Sequence, residues 1–213
     1  MPTTTVHLVR HGQVANPDRV LYGRLPGFGL SPQGRAQGEL LARHFESAPL
    51  AAVIASPLER TLQTAEPIAA AHGLPVGTDQ RLLEAANLFE GVTGSVAWYI
   101  LRHPRVWWRL RSPRGPSWGE SNADIAARMR SVISDARDAH PGRQVVLVSH
   151  QAPIWIVRLS YEGRSLTNWP GRRQCALGSV TTLAFRDGQL AALTYSEPAA
   201  APLVGTEPGR PGA

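Results

Sequence analysis

The sequence predicts an α/β protein, a three-layer α/β/α sandwich around a mostly parallel central sheet, with a small cap inserted into it. The first observation is a set of short apolar segments of strand length, Thr4–Val9, Leu50–Ala55 and Gln144–Val148. The second is that a stretch with helical periodicity follows each of them. Strands alternating with helices argue for a sheet covered on both faces. The third is size: 213 residues, 43% hydrophobic and 18% charged, can bury one substantial core and do not describe a disordered chain.

Thr4–Val9 ends abruptly in Arg10-His11-Gly12, and a loop rich in glycine and proline runs on to Leu30. Ser31-Pro32 reads as an N-cap followed by proline at the first helical position, and that helix carries Leu40, Leu41 and Phe45 on one side. Leu50–Ala55 runs into Ser56-Pro57-Leu58-Glu59, a capping-box pattern that predicts a helix over Pro57–Ala71, stopped before Gly73. Residues 91–119 lack regular periodicity and hold Arg102, Arg105, Arg109, Arg111 and Arg114 with no acid; they are the expected cap. Ser121 caps a helix with Ile125, Met129, Val132, Ile133 and Ala136 at helical spacing. Gln144–Val148 ends in Ser149-His150, and a short apolar helix is expected over Pro153–Leu159. Val180–Phe185 and Gln189–Tyr195 pair as a hairpin around Asp187-Gly188. One domain over residues 1–196 results, with an Ala/Pro/Gly-rich stretch, 197–213, expected to be disordered.

The net charge is +6, and all 22 basic residues are arginine. A coding preference for arginine accounts for this, and so does attraction to anions; charge alone does not separate them. Cys175 is the single cysteine, so an internal disulfide and a thiolate metal cluster are excluded. There is no run of 18 apolar residues and no basic start followed by an apolar stretch, so the expectation is a cytoplasmic protein with no membrane contact. A homodimer is compatible with the sequence, which does not fix the oligomeric state.

The chemistry is expected where the strands end. The first strand delivers Arg10 and His11, the second leads to Arg60 in the first turn of a helix, and the third delivers His150. Open α/β sheets bind ligands at the carboxyl ends of their strands, and helix N-termini add positive partial charge there. Two guanidiniums, two imidazoles and two helix starts facing one pocket suit a phosphate dianion, whose oxygens match the arginine fork. Any one of these residues alone reads as structural; the coincidence at successive strand ends points to a site.

Leu8-Val9-Arg10-His11-Gly12-Gln13 resembles the Arg-His-Gly signature of the histidine phosphatase superfamily, in its phosphoglycerate-mutase-like branch. Ser56 to Ala65 resembles that branch's second motif, Val148-Ser149-His150 its third, and Gly119-Glu120-Ser121 is also similar to the family pattern. The resemblance runs from about Thr5 to Tyr195. It implies hydrolysis of a small phosphorylated metabolite without metal or other cofactor. His11 would form a phosphohistidine; Arg10, Arg60 and His150 would hold the phosphoryl oxygens. A carboxylic acid would protonate the leaving oxygen and then activate water. Glu84, in a Leu-x-Glu setting, fits that acid; Glu90, in Phe-Glu-Gly, resembles a supporting position. Asn16, Tyr22 and Gly23 fall near the family's substrate loop. Gln151 stands where the family usually has glycine, so it is a further candidate contact.

Rival readings remain. A phosphoglycerate mutase would use the same nucleophile, but the glycolytic mutases place basic residues including a lysine after the acid, and this chain has no lysine. Gly119-Glu120-Ser121-Asn122-Ala123 nearly matches a serine-hydrolase elbow, yet it follows a loop, not a strand. His7 and His11 share a strand face but have no cluster of further metal ligands near them in sequence. Trp98, Trp107, Trp108 and Trp118 interleave with the arginines as in single-strand binders; a cap that packs on the domain explains them better, and no nucleic-acid partner is expected.

Overall fold

Alternation along the central strands sets the layers. In the computed structural model, which describes residues 3–94, 96–104, 119–166 and 173–200, the strands are β1 (Thr4–Arg10), β2 (Leu50–Ala55), β3 (Val76–Thr78), β4 (Gln144–Ser149), β5 (Val180–Arg186) and β6 (Gln189–Ser196). The helices are α1 (Pro32–Phe45), α2 (Glu59–Ala70), α3 (Val96–Arg102), α4 (Asn122–Ala139) and α5 (Gln151–Tyr161). The six strands form one sheet in the order β3-β2-β4-β1-β5-β6. Its first four are mutually parallel, β5 runs antiparallel to β1, and β6 runs antiparallel to β5. The α/β class and the mostly parallel sheet are as the sequence predicts.

Val6, Leu8, Val145 and Leu147 face one way and pack on Ile125, Met129 and Ile133 of α4 and Ile154 and Ile156 of α5. Val9, Val53, Val146 and Val148 face the other way and pack on Leu41 and Phe45 of α1 and Ala65 and Ile68 of α2. Side chains of period two on strands buried from both sides therefore divide one sheet between two cores. Each fully buried Leu or Ile contributes about 1.5–3 kcal/mol, so both cores hold the central strands in place.

Register brings the strand ends together. Val148 lies opposite Val9 on one side and Ala55 on the other, and Arg10 lies opposite Ser149. The His11 N–H donates to the Ser149 carbonyl at 3.1 Å, and the Ser56 N–H donates to the Val148 carbonyl at 2.9 Å. His11, Ser56 and His150 thus emerge side by side.

Some details differ from expectation. The second helix begins at Glu59, not Pro57, and its N-cap Leu58 has no side-chain cap. The Ser56 hydroxyl that a capping box would use is engaged by His150 instead. Helix α3 occupies part of the segment expected to be irregular, while β3 and a single 3-10 turn, Gln80–Leu82, were not foreseen. Most of the expected cap, 105–118, with Arg105, Arg109, Arg111 and Arg114, lies outside the described residues. Residues 197–200, placed in the expected tail, pack on the domain: Ala199 joins the second core and its carbonyl accepts from Gln37. Residues 201–213 lie outside the described residues. Among the described residues no helix is long and apolar enough to cross a membrane.

Candidate active site

His11 follows β1 and is almost wholly buried. Its Nδ1 lies 2.7 Å from the Gly12 carbonyl. A carbonyl only accepts, so Nδ1 carries the proton and Nε2 of the neutral ring keeps its lone pair. Burial, and then the charges of Arg60 and Arg10, hold the imidazole well below its usual range. The Gly12 N–H is fixed in turn by the Thr64 hydroxyl at 3.1 Å. A Cβ on Gly12 would stand 2.6 Å from the Gly34 carbonyl, so only glycine lets α1 approach this closely.

Arg60, at the second position of α2, is 1% exposed. Its Nη2 donates to the Gly23 carbonyl at 2.6 Å, and its guanidinium lies 4.8 Å from the centroid of the Tyr22 ring. Burial lowers its proton affinity, while Tyr22, Glu84 and Glu90 act the other way. Arg10 donates from Nη1 to the Cys175 carbonyl at 2.7 Å. His150 caps α5 and packs edge-on against His11, with ring centroids 5.2 Å apart. Burial, followed by Arg60, His11 and Arg10, holds it well below the usual imidazole range too. Its Nε2 lies 2.9 Å from the Ser56 hydroxyl, which can donate to it or accept from it, and its Nδ1 has no partner among the described residues.

The seven buried polar side-chain atoms that lack a partner among the described residues are not scattered evenly. Four belong to Arg10 (Nε), Arg60 (Nε), His150 (Nδ1) and Arg173 (Nε). Buried polar atoms without partners are costly, and with three of the four on guanidiniums and one on a neutral imidazole the set suits an anion. Among the described residues no carboxylate stands within ion-pair distance of Arg10, Arg60 or Arg173, and no group of three or more His, Cys, Asp or Glu is arranged to hold a metal.

Glu84 sits just after the 3-10 turn, whose Leu82 is buried in the core and accepts at its carbonyl from the Ser149 hydroxyl at 2.7 Å. One carboxylate oxygen of Glu84 accepts from the Ala85 N–H at 2.8 Å. Glu90 is committed to the loop between β1 and α1: it accepts from the Arg24 N–H at 3.0 Å. Gly23 has φ +41°, and a Cβ there would stand 2.3 Å from the Glu90 carboxylate.

Sequence reasoning missed a brace around Glu84. Arg24 donates from Nε to the Glu84 carbonyl at 2.7 Å and from Nη2 to Glu120 at 2.8 Å. Glu120 also accepts from Arg128 at 2.7 Å, and Arg128 Nη1 donates to the Arg81 carbonyl. Glu120, noticed only as part of Gly-Glu-Ser, thereby ties together two arginines that grip the backbone on both sides of Leu82.

The expected substrate-loop residues divide. Tyr22 and Gly23 support Arg60 as above, with Tyr22 stacked on Phe28 at 5.2 Å. Asn16 is turned to Val20, donating to its carbonyl at 2.8 Å and accepting from its N–H at 2.9 Å, so its amide closes the loop. Gln151 stands at the site beside Arg173, which was not singled out. His7 lies within β1, bonded to Thr182 and Gln144, and does not join the site.

With this geometry in place, comparison with known proteins is informative. The family model of the histidine phosphatase superfamily (branch 1) matches residues 6–198. The chain is 52% identical over 200 residues to an uncharacterized protein of Mycobacterium tuberculosis (strain ATCC 25618 / H37Rv), covering 92% of this chain and 98% of that one. It is 36% identical over 151 residues to a probable phosphoglycerate mutase of Yersinia enterocolitica, covering 68% of each. The solved structure of a mycobacterial glucosyl-3-phosphoglycerate phosphatase is similar with a TM-score of 0.71 at 26% identity, covering 91% of this chain and 96% of that one.

Proposed function

The chain belongs to the histidine phosphatase superfamily (branch 1), and from that premise we propose that it hydrolyses a small phosphate monoester through a phosphohistidine on His11. The observation that carries the reading is the His11 tautomer: Nδ1 is tied to the Gly12 carbonyl at 2.7 Å, leaving Nε2 as a lone-pair nucleophile beside Arg10, Arg60 and His150. Nε2 attacks phosphorus, and the P–O bond to the alcohol breaks. Glu84 gives its proton to the leaving oxygen. Arg10, Arg60 and His150 Nδ1–H donate to the equatorial oxygens as charge shifts among them. Glu84, now a carboxylate, takes a proton from water; the hydroxyl attacks phosphorus, the P–N bond breaks, and phosphate leaves. The guanidiniums supply the positive charge, so the reaction runs without a metal. The reducing cytoplasm, where a free Cys175 persists, is the proposed compartment.

The second reading, a mutase, draws on the likeness to a probable phosphoglycerate mutase. It would keep water from the phosphohistidine and return the phosphoryl group to another hydroxyl. The absence of lysine favours hydrolysis. Phosphate release from a panel of phosphorylated metabolites, with His11→Ala as control and 3-phosphoglycerate checked for its 2-isomer, tests both. Hydrolysis that vanishes in His11→Ala supports the proposal; isomer formation without net phosphate release overturns it.

A further inference from the structure

We propose that Arg24 is a positioning residue that couples the phosphate grip at Arg60 to the proton donor at Glu84, so that one turn of the loop between β1 and α1 sets both. The coupling rests on the phosphatase reading above and adds to the brace around Glu84 a link to the other half of the site.

The turn is Tyr22-Gly23-Arg24-Leu25, closed by the Leu25 N–H donating to the Tyr22 carbonyl at 2.7 Å. Its two central residues face different partners. The Gly23 carbonyl accepts from Arg60 Nη2 at 2.6 Å, and the Tyr22 ring lies 4.8 Å from the same guanidinium. Since no carboxylate among the described residues stands within ion-pair distance of Arg60, this carbonyl and this ring orient it. Arg24, the next residue, donates from Nε to the Glu84 carbonyl at 2.7 Å and from Nη2 to Glu120 at 2.8 Å. Neighbours joined by a planar peptide inside a closed turn do not shift independently. A displacement of Arg24 therefore reaches the Gly23 carbonyl as well as Glu84.

The turn is also fixed from outside. Glu90 accepts from the Arg24 N–H at 3.0 Å, and Leu21 exchanges backbone bonds with Gly91 and Val92, both at 2.9 Å. Gly119 and Glu120 arrive beside the same strip: Gly119 bridges to Asn87, and the Glu120 N–H donates to the Ala86 carbonyl at 3.2 Å. Segments 20–24, 84–92 and 119–120 thus meet around one guanidinium. A planar fork can serve a carbonyl on one edge and a carboxylate on another, which a point donor such as an ammonium cannot match. An ion pair near the surface adds little to stability by itself. What sets this one apart is that its guanidinium also ends on the backbone of the proton donor.

The test reads the two halves separately. Inorganic phosphate as an inhibitor reads the grip, because it has no leaving group. The ratio of kcat/KM for an alkyl and an aryl phosphate reads the proton donor. Arg24→Met keeps the side-chain length and removes both bonds. It should raise the Ki for phosphate about tenfold and lower the alkyl-to-aryl ratio about tenfold, within the cost of contact groups displaced by less than about an ångström. Glu120→Gln should lower the ratio but leave Ki within about twofold, because the turn stays closed. In a Glu84→Gln background, Arg24→Met should leave the ratio unchanged and still raise Ki. Arg128→Met takes the other guanidinium from Glu120 and controls for lost stability; its Ki should also stay within about twofold. Arg24→Met that moves only one readout, an equal loss on both esters at unchanged Ki, or Arg128→Met that raises Ki as much would overturn the coupling. Wild type that binds phosphate by calorimetry yet hydrolyses neither ester would sink the phosphatase reading. Phosphate binding weakened in Arg24→Met and not in Glu120→Gln would then still uphold the coupling, and equal binding in all three proteins would end it.

Discussion

The Ser56 hydroxyl stands 2.9 Å from Nε2 of His150, and both side chains are fully buried. With the hydroxyl donating, this contact would leave the His150 proton on Nδ1, the nitrogen that the proposed mechanism aims at the phosphoryl group. Ser56→Ala should lower kcat/KM about tenfold, the cost of one unmade hydrogen bond at a buried group. The variant should also lose about 1–3 kcal/mol of stability, because the buried His150 Nε2 is left without its partner, not because Ser56 caps α2. A destabilised variant with unchanged kcat/KM would reduce the contact to a structural one.

Acid should weaken the fold through the two site histidines. Both are held well below 6.5 in the folded protein, mainly by burial. The unfolded chain takes up their protons near the ordinary value while the folded chain does not. Their contribution to stability is therefore complete above about pH 6.5 and is lost as pH falls below it, at up to ~1.4 kcal/mol per pH unit for each group. His7 and His44 shift the same way, so the wild-type slope combines several groups. Denaturant unfolding of His150→Asn should lose less stability between pH 6.5 and 5 than the wild type. Parallel profiles would mean that His150 takes its proton in the folded state as readily as in the unfolded one.

Glu84→Gln keeps its shape but has no carboxylic proton to give. Alkyl phosphates should slow by about 10²–10⁴, while aryl phosphates, whose leaving groups need little help, slow far less. Glu90→Gln retains an oxygen for the Arg24 N–H and should show no such selectivity. Rate ratios for the two substrate classes check this, and selectivity in Glu90→Gln alone would reverse the assignment.

Glu120→Gln weakens the brace without touching substrate. It should slow alkyl phosphates more than aryl phosphates, in the same sense as Glu84→Gln and about tenfold, because Arg24 and Arg128 hold the backbone around the acid. A uniform loss for both classes would indicate general destabilisation instead.

The sheet and the residues gathered at its strand ends were legible because their signals are local. Leu50–Ala55 and the valines of β4 form apolar runs buried on both faces, and Arg10, His11 and His150 sit directly at strand ends. What escaped depends on distant partners. Arg24 and Glu120 are 96 residues apart, and neither shows its role in its own neighbourhood. Arg173 bonds to a glutamine 22 residues before it. Ser56-Pro57-Leu58-Glu59 satisfied a capping pattern by sequence, yet a buried imidazole took the hydroxyl. Asn16 looked available to substrate, but Val20 engages both ends of its amide. The three-residue strand β3 at the sheet edge is too short for periodicity to reveal.

The central claim is covalent chemistry at His11, and trapping the intermediate tests it most directly. Enzyme mixed with phosphorus-labelled substrate and quenched within the first turnovers should carry label in a bond stable to base and labile to acid, mapped to His11 by peptide mass spectrometry. His11→Ala should carry none, and exhaustive chelation should leave the wild-type label and turnover unchanged. Label that persists in His11→Ala, or turnover that stops on chelation and returns with a divalent ion, would contradict the account.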